Sequence, residues 1–83
     1  MILRVENSMT LIQANPGQTV RIISFKGGIG LEHKLRQLGL VPGDNARVLR
    51  YAPLGGPVMV EVDGRSIALG LGVASQVLVE ADL

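Results

Sequence analysis

Few side chains in this sequence carry reactive chemistry, and their spacing restricts what they can do. Glu32 and His33 are the one local pair of a type that ferrous iron or another transition metal accepts as ligands. Neighbours on a helix point about 100° apart, so the two do not converge on one ion. The reading taken is a solvated surface histidine; weak Fe2+ or other transition-metal contact within an assembly stays open, and no metal ligand is assigned. Glu32 has a plainer role as the partner of Arg36 at i+4 and as a negative charge near a helix start. Ser24, Ser66 and Ser75 have no neighbouring base, there is one histidine, and cysteine is absent. The expectation is a non-enzyme with no catalytic residue.

Two glycine-rich stretches invite functional readings. Lys26-Gly27-Gly28-Ile29-Gly30 joins a strand to a helix but lacks both phosphate-cradling spacings, and no βαβ crossover follows, so it reads as a connector. Ala52-Pro53-Leu54-Gly55-Gly56-Pro57 is a protruding loop with a leucine between prolines and glycines. Leu54 is either an apolar tip on a preorganised loop, which lowers the ordering cost of binding a partner, or a lid folded over an open barrel end. Leu54, Gly55, Gly56 and Pro57 are the partner-binding candidates. Ile29 and Leu71 are weaker members, with one of Leu71 and Val73 packing inward.

The elements that must position these residues are short. Leu31, Leu35 and Leu38 recur at i, i+4 and i+7, predicting a helix of about two turns whose opposite side carries Glu32, His33, Arg36 and Gln37. Gly39 suits a left-handed stop, with Leu40 folding back on Leu35 in a Schellman close. Val41-Pro42-Gly43-Asp44 then fits a type II turn that opens a strand. Asn15-Pro16-Gly17-Gln18 heads another strand in the same way. Pro-Gly turns commonly open strands in small barrels, a reading preferred here to internal duplication. Five main strands are expected, Thr19 to Phe25, Ala46 to Tyr51, Val58 to Val62, Arg65 to Leu69 and Gln76 to Glu80, with an Asp63-Gly64 I′ hairpin between the third and fourth. Gly70 to Ser75 should make a single turn. The fold class is mainly β: a small SH3-like, partly open barrel with one short α-helix between its first two main strands.

At 83 residues the chain is sized for one domain, here residues 10–83, preceded by an N-terminal tail or edge strand over residues 1–9, in which Ile2 to Val5 alternate. Hydrophobic residues make up 47%, but Phe25 and Tyr51 are the sole aromatics, so Val, Ile, Leu and Ala must fill the core. Two aromatics and a net charge of +1 supply neither the stacking platform nor the basic groove of a nucleic-acid reader, and they leave a proline-peptide groove unbuilt. No apolar leader or membrane-length segment is present, which points to a cytoplasmic protein without direct membrane insertion. An unpaired edge at Ile2 to Val5 makes a homo-oligomer feasible.

The order Leu11, Pro16-Gly17, Leu35, Leu38-Gly39-Leu40, Pro42-Gly43, Pro53-Leu54-Gly55-Gly56-Pro57 and Ile67-Ala68-Leu69, closed by Ala74 and Val77 to Val79, resembles the ferrous iron transport protein A (FeoA) family over residues 11–80. It also resembles the C-terminal domain of diphtheria-toxin-repressor-type metal regulators. The resemblance implies an SH3-like domain in the cytosol, recruited to the inner face of the membrane, that binds and modulates a membrane ferrous-iron permease with a cytoplasmic GTPase domain. Its alternative implication is iron sensing or delivery by a transition-metal-binding domain. One departure is Gly70-Leu71-Gly72-Val73, where similar proteins carry charge; a charged partner contact at that place does not carry over.

Overall fold

The computed structural model describes residues 8–81. Six antiparallel strands form one sheet in the order β1-β6-β2-β3-β4-β5: β1 (Ser8–Thr10), β2 (Thr19–Phe25), β3 (Asn45–Tyr51), β4 (Val58–Val62), β5 (Arg65–Leu69) and β6 (Val77–Ala81). A 3-10 turn (Leu11–Gln13), α1 (Ile29–Leu38) and the single-turn α2 (Leu71–Ala74) complete it. The five expected strands are all present, and β1 adds a sixth. The edge strand expected over Ile2 to Val5 lies outside the described residues.

Valine, isoleucine, leucine and alanine fill the core as the composition requires. Val20 and Ile22, Ala46 and Val48, Val58, Val60 and Val62, Ile67 and Leu69, and Val77 and Val79 alternate inward from β2 to β6 and are buried. Each strand shows one face to that core. The polar outer face carries ion pairs, such as Arg47 to Glu61 at 3.0 Å.

Helix α1 begins two residues earlier than its leucine spacing indicates. Gly28 caps it through backbone alone, its carbonyl accepting from Leu31 and Glu32, so no capping side chain marks the start. Ile29 and Gly30, expected in the connector, are therefore helical. The close is the anticipated Schellman motif: Gly39 has φ +94°, its N–H reaches the Arg36 carbonyl, and the Leu40 N–H reaches the Leu35 carbonyl at 2.9 Å. The Arg65 guanidinium lies where a side chain on Gly39 would stand and donates to the Gly39 carbonyl at 3.5 Å, placing positive charge at the helix C-terminus. The leucine stripe is uneven. Leu35 is fully buried and Leu31 packs against the core, but Leu38 is 36% exposed, because the last turn of α1 stands off the core that its first turns reach.

The two Pro-Gly turns belong to a wider two-fold pattern. In one, the Gly17 N–H donates to the Val48 carbonyl (2.7 Å) and the Val48 N–H returns to the Gln18 carbonyl; in the other, the Gly43 N–H donates to the Ile22 carbonyl (2.8 Å) and the Ile22 N–H returns to the Asp44 carbonyl. Val20 pairs with Ala46 at the centre. The β2 register shifts between Ile22 and Ser24 against β6, and that of β3 shifts between Val48 and Arg50 against β4, at equivalent places. Arg21 faces and bonds Glu80 just as Arg47 faces and bonds Glu61. Outside these, Ser8, Met9 and Thr10 pair with Glu80, Val79 and Leu78, while Ser66, Ile67 and Ala68 pair with Glu61, Val60 and Met59. The sheet is thus two three-stranded halves related by a pseudo-two-fold axis, with β1 and β5 as equivalent edges.

Candidate functional site

The loop between β3 and β4 is built from both ends inward. The Ala52 N–H donates to the Pro57 carbonyl at 2.9 Å, and within that closure the Gly56 N–H donates to the Pro53 carbonyl at 3.1 Å. Leu54 and Gly55 are the two central residues and both take positive φ, +59° and +74°, as a type I′ turn demands. A side chain on Gly56 would stand 2.8 Å from the Ala52 methyl, so glycine there lets the loop fold on itself. Prolines at both shoulders remove backbone freedom. The tip is stiff.

Leu54 is 104% exposed, so it is a tip and not a lid. Its left-handed conformation is disfavoured for a branched apolar residue by about 1–2 kcal/mol, and no burial offsets that penalty. Gly55 and Pro57 are exposed with it, and Gly56 is half-buried.

The register places the other candidates relative to the tip. Tyr51 pairs with Val58 and Val58 with Leu69, so the loop and the segment starting at Gly70 leave the sheet from one end. Leu71 therefore emerges at the same end as Leu54, yet it is half-buried and packs against the core, as does Val73. The expectation that one of the two turns inward is exceeded by both doing so. Ile29 is 87% exposed at the first position of α1, next to a connector whose Lys26 N–H donates to the Gln76 carbonyl at 2.7 Å. The connector before Ile29 is thus tied to the end of the segment 70–76, and the loop that carries Leu54 leaves the sheet beside its start.

The chemistry-bearing residues are dispersed. His33 is exposed on α1, with its Nε2 3.2 Å from the Gln37 amide, and Glu32 is paired with Arg36 at 3.7 Å. Among the described residues no three of His, Asp and Glu gather as a metal site. Ser75 gives its hydroxyl proton to the Gly72 carbonyl at 2.7 Å.

A residue that sequence reasoning passed over anchors the loop. Tyr51, at its β3 shoulder, donates its hydroxyl to the Ala14 carbonyl at 2.6 Å, with the Leu11 carbonyl at 3.2 Å as a second acceptor. Burial pushes its phenol above the ordinary value of 10.0. Its value as a signal lay in being one of two aromatics, the other being Phe25 at the equivalent place on β2.

The FeoA domain family model matches residues 9–81. The Fe(2+) transport protein A of Methanocaldococcus jannaschii is 31% identical over 67 residues, which cover 81% of this chain and 79% of that protein. A crystal structure of an iron uptake regulatory protein, FeoA, superposes with a TM-score of 0.82 at 31% identity, covering 90% of this chain and 97% of its own. The solution structure of iron(II) transport protein A from Clostridium thermocellum gives 0.82 at 33% identity, covering 88% and 45%. IdeR of T. acidophilum gives 0.82 at 26% identity; 99% of this chain lies on 37% of that regulator.

Proposed function

The chain belongs to the FeoA domain family, and on that premise we propose that it is a non-catalytic cytoplasmic accessory of ferrous-iron uptake. Its partner is a membrane ferrous-iron permease, bound and modulated through the intracellular part that bears a GTPase domain. The relatives named for Fe(2+) and iron(II) transport support the biological setting. The observation that carries the binding role is Leu54, an apolar side chain held outward, in a disfavoured conformation, on a loop stiffened by prolines and tied down by Tyr51. A residue kept at that conformational cost without burial is well suited to enter a pocket on another protein, and a preordered loop loses little entropy in doing so.

The test is an NMR titration of isotope-labelled chain with the soluble GTPase domain of the permease. Shifts should cluster on Leu54 to Pro57 and extend to Ile29 and Leu71. Leu54→Asp should abolish them while its own amide spectrum stays that of the folded domain. A variant that binds as well as the parent, or a parent whose loop resonances do not move, overturns the assignment of this loop.

A further inference from the structure

The two pseudo-equivalent edges of the sheet are finished differently. On β1, the Thr10 N–H points away from β6 and is taken by the Gln13 side-chain oxygen at 2.8 Å, so that edge is capped where β1 ends. On β5, the Asp63-Gly64 turn makes Val62 and Arg65 the hydrogen-bonded closing pair, so residues 65, 67 and 69 bond to β4 while Ser66 and Ala68 aim their N–H and C=O groups outward. Among the described residues no backbone or side-chain group meets those outward groups of Ser66 and Ala68. The usual protections of an edge are missing from β5: it has no proline, lysine or bulge, and the charge of Arg65 is drawn aside to the Gly39 carbonyl.

We infer that the β5 edge pairs with β5 of a second copy of this chain, antiparallel across a two-fold axis at Ile67. The occupant follows from the strand's own symmetry. Gly64-Arg65-Ser66-Ile67-Ala68-Leu69-Gly70 reads nearly alike in both directions: glycine, long, small, isoleucine, small, long, glycine. Antiparallel pairing about Ile67 sets Ser66 against the other copy's Ala68 twice, so all the outward groups of both strands find partners, and it sets Arg65 against Leu69 so that no like charges meet. The glycines at both ends and the small outer side chains leave the approach open. Ile67 retains 7% exposure, more than any other core residue, and it is the residue that meets its own copy at the axis.

The experiment combines sedimentation equilibrium with amide hydrogen exchange on the parent protein from micromolar to millimolar concentration. A monomer–dimer equilibrium is expected, with the Ser66 and Ala68 amides gaining at least about tenfold protection as the dimer fills. Ala68→Pro removes one outward N–H without touching a bond to β4, so it should stay monomeric with a folded spectrum. A parent that remains monomeric with both amides exchanging freely overturns the inference. So does a dimer that persists in Ala68→Pro, or edge protection that arises only when the permease GTPase domain is added. Should the proline variant fail to fold, the concentration dependence of the two parent amides decides.

Discussion

The hydroxyl of Tyr51 donates a 2.6 Å hydrogen bond to the carbonyl of Ala14, joining the last residue of β3 to the residue that ends the 3-10 turn. One side chain thereby secures the candidate loop, which starts at the next residue, to the segment that leads out of β1. The phenol is only part-buried, but the carbonyls it meets belong to buried residues, Leu11 and Ala14.

Tyr51→Phe removes the donor to the Ala14 carbonyl, while the Leu11 carbonyl keeps the Ala14 N–H, and should lower stability by about 1–2 kcal/mol, read from urea unfolding followed by circular dichroism. The pH dependence has a fixed sign. Burial raises the folded-state value of the phenol above 10.0, so its contribution is complete below pH 10 and is lost as pH climbs through the folded-state value. The parent should lose stability in that alkaline range by a component that Tyr51→Phe lacks.

The two-fold pattern makes a quantitative demand on the Pro-Gly turns. Gly17 and Gly43 occupy equivalent places with φ +88° and +97°, and a methyl group on either meets open space. Gly17→Ala and Gly43→Ala should therefore each cost about 1 kcal/mol, from backbone strain alone and in similar amounts, and the double variant should cost their sum. Chemical denaturation of the three proteins checks it.

Leu54→Asn replaces a residue that dislikes the left-handed region with one that tolerates it. Thermal unfolding should show a gain of about 0.5–1 kcal/mol, since Leu54 buries nothing that asparagine would lose. Binding to the permease GTPase domain should weaken in the same variant. Opposite movement of stability and affinity is the signature of a residue kept for contact.

Ferrous iron in anaerobic excess should leave the melting temperature unchanged. A ligand that binds only the folded chain stabilises it by RT ln(1 + L/Kd), L being its free concentration, so a tight site would announce itself as a rise of several degrees. Line broadening at Glu32 and His33 on the same sample would locate any weak contact.

Much of the architecture was legible because it is written locally. Gly39, Pro42-Gly43 and Asp63-Gly64 each specify a backbone conformation by residue type, and the valines of β4 alternate without interruption. The start of α1 was obscure because Gly28 caps by backbone and offers no side chain to read. Strand β1 was hidden because three residues carry no period; β6 creates it by pairing. The exposed tip at Leu54 could be named from its neighbours but not distinguished from a lid, since that depends on how far the loop stands from the core. The Tyr51 clamp joins residues far apart in sequence, and no spacing announces such a bond. The resemblance of the two Pro-Gly turns was visible, whereas the matching bulges and ion pairs exist only once strands are in register.

Helix α1 also bears on the route by which the sheet forms. Val20 cannot meet Ala46 until residues 26–44 close a loop, and the entropy lost in closing a flexible loop grows with its length. Ten of those residues wind into α1, which advances only about 1.5 Å per residue, so the polymer that must be closed is effectively shorter than its residue count. With Leu35 as its one fully buried side chain, the helix contributes modestly to the finished core. Where the helix winds before that closure, it also shortens the search by which the central strands find each other.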